Sequence, residues 1–165
     1  MARKVFYSFN FEEDSHRVAK VKNMGVVEGQ TILTSNEWED VEAGGDSAIQ
    51  AWIDEQMTGK SCIVVLIGAN SSTRWVKYEI KKAWEDGRGL MGVHIHNLAD
   101  LNAIQTSKGS NPFSEFKVGG KGLDAIVKAY DPPFVTSPYV YDHIKENLPG
   151  WVEEAINIRK GFKGS

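Results

Sequence analysis

Residues 62–84 have the sequence CIVVLIGANSSTRWVKYEIKKAW, which sets a strongly apolar segment directly before an amphipathic one. The run Cys62–Ile67 is apolar at every position, a pattern typical of a strand that is buried on both faces of a parallel sheet. After the short polar turn at residues 68–71, the apolar side chains recur with the period of a helix, about 100° per residue. A buried strand that leads into such a helix is the repeating unit of an α/β domain.

The same alternation extends along most of the chain and predicts one domain over residues 1–165. We expect strands at residues 5–9, 31–34, 62–67, 90–96 and 124–130, and helices at residues 14–23, 46–57, 74–86 and 147–159. Residues 35–45 and 97–122 are rich in polar residues and glycine, which predicts surface loops. The order of elements indicates a doubly wound, mostly parallel sheet with helices on both faces. Its core should span about residues 3–130, with a C-terminal helix at about 147–160.

Glu79 is the residue whose position in the predicted helix is least expected. With Trp75 set at zero, Ala83, Val76 and Ile80 fall at roughly 80–140° around the helix axis, whereas Glu79 falls at about 40°. The carboxylate therefore lies within the apolar arc, while Arg74, Lys77 and Lys81 cluster on the opposite side. A carboxylate in such a place either has a buried partner or faces a pocket. Glu79 is accordingly our candidate catalytic residue.

The composition excludes several classes of function. A net charge of −3, with 25% charged and 41% hydrophobic residues, gives no basic footprint for nucleic acid. The apolar runs are too short to span a membrane, and a single cysteine, Cys62, rules out an internal disulfide. These features predict a cytoplasmic protein. His94 and His96 point the same way on a strand, but no further ligand lies at zinc spacing, so we expect no metal site.

Polar residues follow several of the predicted strands, and in open α/β sheets ligands bind at this carboxyl edge. The candidates are Ser8, Phe9 and Asn10 after the first strand and Asn70 after the strand at 62–67. Trp75 and Glu79 can face the same crevice. Aromatic rings, amides and one carboxylate suit a nucleoside, because rings stack on the base and polar groups bond to the ribose. The residues alone indicate an α/β domain with a nucleotide pocket.

The chain also resembles a known family, the TIR domains. Lys4 to Phe9 resembles their first strand, and residues 72–80, STRWVKYEI, resemble the signature Ser-x-x-Trp-(Cys/Val)-x-x-Glu-(Leu/Ile). The similarity is strongest to the TIR-like signal-producing component of Thoeris anti-phage systems, carried by five blocks in the same order. These blocks are VFYSF at 5–9, WED at 38–40, RWVKYEI at 74–80, GVHI at 92–95 and KGSNPF at 108–113.

The resemblance implies a flavodoxin-like fold and an enzyme that cleaves NAD with Glu79 as the catalytic residue. Its product would be a cyclic ADP-ribose isomer, a second messenger that activates a downstream effector. NAD would be the substrate, and no cofactor would be needed. The candidate substrate-binding residues are Ser8, Phe9, Asn10, Trp38, Asn70, Trp75, Asn111 and Phe113. Cyclisation requires a ribose hydroxyl to reach the anomeric carbon before water does, so aromatic side chains should seal the pocket.

Two alternatives stay open at this stage. The chain could act without catalysis, as a TIR module that works by self-association, or it could hydrolyse NAD to linear ADP-ribose. An enzyme that always consumed NAD would harm its own cell, so we expect a gate. The predicted loops at 35–45 and around residues 111–113 are the candidate lids, and a phage component or self-assembly would open them.

Overall fold

The computed structural model describes residues 2–100 and 102–162, and its centre is a four-stranded parallel sheet. The strands are β1 (Val5–Ser8), β2 (Cys62–Ile67), β3 (Gly89–His94) and β6 (Ala129–Tyr130), in the order β1-β2-β3-β6. A separate antiparallel pair is formed by β4 (Lys117–Val118) and β5 (Lys121–Gly122). The predicted flavodoxin-like, doubly wound α/β fold is confirmed.

The described residues form five α-helices, four of which cover the two faces of this sheet. The five are α1 (Phe11–Asn23), α2 (Ser35–Ala43), α3 (Gly45–Met57), α4 (Arg74–Glu85) and α5 (Ser137–Gly161). Helices α1 and α5 pack on one face in one apolar cluster, and α3 and α4 pack on the other face in a second cluster. Every residue of β2 and β3 is buried, because both strands are central and covered on both sides.

The start of α4 fixes the direction in which Glu79 points. The Thr73 side chain caps this helix by accepting a hydrogen bond from the backbone N–H of Val76 at 3.3 Å. Helix α4 buries Val76, Glu79, Ile80, Ala83 and Trp84. The buried arc predicted from the sequence is therefore the arc observed, with Glu79 inside it.

The strand predicted at residues 31–34 is absent, and a side chain takes over part of its role. Its place beside β1 is reduced to an isolated parallel bridge between Lys4 and Glu28. One step further on, the buried Gln30 amide accepts from the Tyr7 N–H at 2.8 Å and donates to the Tyr7 carbonyl at 2.9 Å. These two bonds satisfy the backbone of Tyr7 as a neighbouring strand would, so the chain leaves the sheet after one residue.

The loop predicted at residues 35–45 is helix α2. Thr34 and Glu37 form a capping box, in which the Thr34 hydroxyl accepts from the Glu37 N–H at 3.2 Å and the Glu37 carboxylate accepts from the Thr34 N–H at 2.9 Å. Helix α3 follows at once, with Gly44 at its N-cap and Asp46 in its first turn instead of at the cap. Helix α2 has no buried residue, so it is held mainly through the contacts of its half-buried side chains.

The C-terminal helix and the predicted surface excursion also differ from expectation. Helix α5 begins at Ser137 instead of residue 147 and carries Pro149 within it. Its buried stripe contains Val140, Ile144, Leu148, Val152, Ala155 and Ile156, whereas Trp151 and Ile158 are only half-buried. The segment 97–122 packs partly into the core through the 3-10 helix Pro112–Glu115. Within the described residues, no helix combines the length and apolar character required to cross a membrane.

Candidate functional site

A cavity of about 240 Å³ opens at the carboxyl edge of the sheet, beside the ends of β1 and β2. The chain runs to opposite sides after these two strands, and ligands of doubly wound folds bind at this kind of crevice. The lining side chains come from β1, α1, α2, α3 and α4 and from the loops between these elements. They are Phe6, Tyr7, Phe9, Asn10, Phe11, Glu12, Gln30, Trp38, Glu42, Trp52, Thr73, Trp75 and Glu79.

Glu79 lies in the wall of this cavity with only 6% of its surface exposed. Its Oε1 accepts a hydrogen bond from the Ser8 hydroxyl at 2.6 Å, and Ser8 is itself fully buried. Burial raises the pKa of Glu79 to about 8, and the Ser8 hydrogen bond opposes this rise because it favours the charged form. One carboxylate oxygen is thus held by Ser8, which leaves the other for a ligand.

Aromatic rings form much of the lining of the cavity. Trp38 stacks on Phe11 with ring centroids 5.3 Å apart and meets Trp52 edge-on at 5.9 Å. Phe9 lies 6.1 Å from Phe11, and Trp75 contributes its half-buried ring from α4. Packed rings in these geometries stabilise one another and exclude water from the space they enclose.

The charged side chains around the cavity all carry the same sign. Glu12 and Glu42 lie at its rim and Glu79 in its wall, while no Lys, Arg or His is among the lining residues. Aromatic faces combined with carboxylates attract cations, because the ring face carries partial negative charge. The arrangement suits a flat, positively charged ring.

The polar rim is organised by two asparagines that bond to protein groups. The side-chain oxygen of Asn10 caps α1, and the side-chain Nδ2 of Asn10 donates to the Asn70 backbone carbonyl at 2.8 Å. Asn70 Nδ2 in turn donates to the Glu13 carboxylate at 3.0 Å. These bonds tie the loop after β1 to the loop after β2 and fix the mouth of the cavity. Asn10 lines the cavity, whereas Asn70 lies beside it and is exposed.

The structure brings together five of the nine residues predicted for the site. Phe9, Asn10, Trp38, Trp75 and Glu79 line one cavity. Ser8 lies behind Glu79 and has no exposed surface, so its contact is with the carboxylate and not with a ligand. The catalytic and substrate-binding roles of these residues stay predictions.

Two predicted residues lie away from the cavity. Phe113 is fully buried in the core on the α3–α4 face of the sheet. The 3-10 helix Pro112–Glu115 directs the Phe113 ring into this core. Asn111 caps that 3-10 helix by accepting from the Phe113 N–H at 2.9 Å. The structure therefore corrects both placements. The structure also argues against the segment around Phe113 as a lid, because opening it would pull a closely packed ring out of the core.

Several lining residues were not anticipated. Trp52 lies at the spacing of the apolar stripe of α3 and packs against the core, yet it also lines the cavity. Glu42 lies four residues after Trp38, so the two share one face of α2. The pattern Thr34-x-x-Glu37 is a sequence signature of a helix start and would have indicated α2. Gln30, Phe11, Glu12 and Thr73 carried no comparable signal.

His94 is the last residue of β3 and His96 follows just after the strand, with their ring centroids 5.9 Å apart. Burial lowers the pKa of His94 to about 4 and lowers that of His96 below its ordinary value. Among residues 2–100 and 102–162, no group of three or more His, Cys, Asp or Glu side chains is arranged to hold a metal ion.

Comparison with known proteins gives two matches that agree with this geometry. Residues 6–100 match the family described as "Thoeris protein ThsB, TIR-like domain". A relative from Bacillus cereus (strain MSX-D12), named "Putative cyclic ADP-D-ribose synthase ThsB1", is 34% identical over 133 residues, covering 74% of this chain and 69% of the relative. All the lining residues of the cavity, from Phe6 to Glu79, fall within the matched residues 6–100. The chain belongs to the ThsB family of TIR-like Thoeris proteins.

Proposed function

We propose that this protein cleaves the nicotinamide glycosidic bond of NAD and joins the remaining ADP-ribose into a cyclic isomer, which serves as a second messenger in anti-phage defence. The observation that carries the proposal is the buried Glu79 carboxyl, open to an aromatic cavity and held by Ser8. The name of the Bacillus cereus relative supports the same activity.

The first step breaks the bond between the ribose C1′ and the pyridinium nitrogen. The bonding electrons go to the nitrogen, so nicotinamide leaves as a neutral molecule and needs no general acid. The ribose that remains has the character of an oxocarbenium ion, as in glycoside cleavage. A carboxylate fixed beside it stabilises this positive charge, which is the role proposed for Glu79.

The protonation state of Glu79 links the binding of NAD to the cleavage of its glycosidic bond. With a pKa of about 8, Glu79 is mostly protonated at neutral pH while the cavity is empty. A bound pyridinium ring places a positive charge beside the carboxyl and favours its ionised form. The bond from Ser8 acts in the same direction, since a donated hydrogen bond stabilises the carboxylate. The substrate itself thus generates the catalytic form.

The second step decides between cyclic and linear products. A hydroxyl within the bound ADP-ribose attacks C1′, forms the new bond and releases its proton, for which Glu79 is the proposed acceptor. Water would give linear ADP-ribose instead. Phe9, Trp38 and Trp75 surround the cavity with apolar surface, and this surface lowers the access of water to the anomeric carbon. Neither a metal nor a cofactor enters either step.

The proposed product implies a downstream partner. A diffusible cyclic nucleotide acts on a separate effector, and no direct contact between the two proteins is needed. Helix α2, which has no buried residue, is the segment proposed to gate the cavity, with Trp38 as its point of attachment. A phage component or self-association would release this gate by supplying new contacts.

The test compares wild-type protein with Glu79→Gln, incubated with NAD and with lysate from infected cells, using mass spectrometry of the small molecules. We expect a cyclic product, lighter than ADP-ribose by one water molecule, and a fall of roughly 100- to 1000-fold in the variant. Glu85→Gln is the matched control, because Glu85 lies on the same helix but is exposed. It should keep wild-type turnover.

Each alternative function gives a different result. Linear ADP-ribose as the sole product would identify a plain NAD hydrolase. Absence of any turnover, with or without lysate, would favour a non-enzymatic assembly module. Equal turnover by wild type and Glu79→Gln would refute the assignment of Glu79.

A further inference from the structure

The cavity at Glu79 accounts for only one part of NAD. Its volume of about 240 Å³ lies below the roughly 300–1,000 Å³ of pockets that enclose drug-sized ligands, and NAD is larger than these. Glu12, Glu42 and Glu79 line the cavity, and no basic side chain is among its lining residues. Such a site suits the cationic nicotinamide end but repels the two negative charges of the diphosphate. The diphosphate must lie elsewhere.

A second concavity of about 360 Å³ adjoins the first, and Trp75 lines both. Its floor is the outer face of α4, where Arg74, Lys77 and Lys81 recur at the spacing that puts side chains on one side of a helix. We call it the α4 groove. Glu115 is the acidic residue among its lining side chains, and it pairs with Lys77.

The cations of the groove are placed to receive an anion that leaves the cavity. The Arg74 guanidinium lies 4.6 Å from the centre of the Trp75 ring, directly at the shared wall. Lys77 and Lys81 follow along the next turns of α4. A molecule that runs from Glu79 across Trp75 therefore meets positive charge as soon as it leaves the acidic cavity.

The present partners of these cations are weak competitors. Arg74 pairs with Asp46, Lys77 lies 2.9 Å from Glu115, and Lys81 lies 4.0 Å from Glu85. All six side chains are at least 41% exposed. Exposed ion pairs contribute little to stability, so an anion with two phosphates can replace these carboxylates.

We propose that the α4 groove is the diphosphate subsite of the dinucleotide, contacted chiefly by Arg74 and Lys77. This inference rests on the proposed function and adds to it the path of the substrate. NAD crosses Trp75, with its nicotinamide riboside half in the cavity and its adenosine diphosphate half over the basic face of α4. Affinity then depends on salt, because phosphate contacts are made by exposed cations.

The test uses ADP, which carries the diphosphate but lacks the reactive bond, titrated calorimetrically into purified protein at low ionic strength. We expect measurable binding to the wild type, weakened about tenfold or more by Arg74→Gln with Lys77→Gln, because the variant lacks the two cations proposed to contact the phosphates. Nicotinamide riboside, which has no phosphate, should bind both proteins equally.

The control is Lys145→Gln with Lys160→Gln, which removes the same charge from exposed positions of α5 on the opposite face of the sheet. It should bind ADP as the wild type does. Equal affinity for ADP in wild type and groove variant, or no ADP binding by the wild type at millimolar concentration, would overturn the inference. NAD cleavage is measured in parallel. A failure of the proposed function appears there as lack of turnover, whereas an intact KM for NAD in the groove variant refutes the groove alone.

Discussion

Replacing Glu79 by Gln should stabilise the protein, and the gain should grow with pH. The pKa of Glu79 rises from an ordinary value of 4.5 to about 8 because the side chain is buried. Between these values the unfolded chain gives up its proton while the folded protein keeps it, so the free energy of unfolding falls as pH increases. Glutamine has no proton to lose, and its neutral amide avoids the cost of burying a charge.

The magnitude follows from about 1.4 kcal/mol for each pH unit between the two pKa values. The expected gain in the variant is close to zero at pH 4.5, about 3 kcal/mol at pH 7 and about 5 kcal/mol above pH 8, where it levels off. Asp14, whose pKa burial raises to about 6, also titrates in this range. It is present in both proteins, so its contribution cancels in the difference.

The assay is urea unfolding of both proteins at intervals from pH 5 to pH 9, compared through their midpoints at equal slope. Glu85→Gln is the control and should differ from wild type by a constant amount, since Glu85 is exposed. A difference between Glu79→Gln and wild type that does not change with pH would refute the reasoning. A variant less stable than wild type at pH 9 would mean that Glu79 has a stabilising partner beyond Ser8.

Three further predictions concern the same cavity. In steady-state kinetics with infected-cell lysate present, kcat/KM for NAD should rise with pH through an inflection near pH 8, because it reports the free enzyme, whereas the inflection in kcat should lie at lower pH because bound pyridinium favours ionised Glu79. Ser8→Ala should move the kcat/KM inflection to higher pH as well as slow turnover, because the bond that favours the carboxylate is lost. An unmoved inflection would show that Ser8 is merely structural. Phe113→Ala should lower the free energy of unfolding by about 3–5 kcal/mol, whereas Trp38→Ala should change stability far less and shift product toward linear ADP-ribose. Denaturation and product analysis of both variants check this contrast.

The parts of the fold that could be predicted are those where burial alone decides the structure. Strand β2 is apolar at every position because it is covered on both faces, and no other element fits that pattern as well. The helical spacing of the apolar residues in α4 predicts that Glu79 lies in the buried arc, as the structure shows. These signals depend on the period of apolar residues, which a single sequence contains in full.

The parts that could not be predicted depend on contacts between distant residues. Helix α2 is acidic and exposed, so its apolar period is weak, and what holds Trp38 in place is packing against Phe11 and Trp52. Pro149 suggested a helix start, but α5 carries it internally because the stripe from Val140 to Ile156 is buried along the whole helix. Phe113 is aromatic in a polar segment, and only the path of that segment decides whether its ring enters the cavity or the core.

The pairing of Gln30 with Tyr7 has a consequence for following the protein in solution. In most strands an amide proton is protected by a neighbouring backbone, so its exchange with solvent deuterium requires the sheet to separate. The Tyr7 amide proton is held by one side chain, which also lines the cavity. Rotation of that side chain exposes the proton while β1 and β2 stay paired. The exchange rate at Tyr7 therefore measures how often the cavity wall opens, separately from unfolding of the domain.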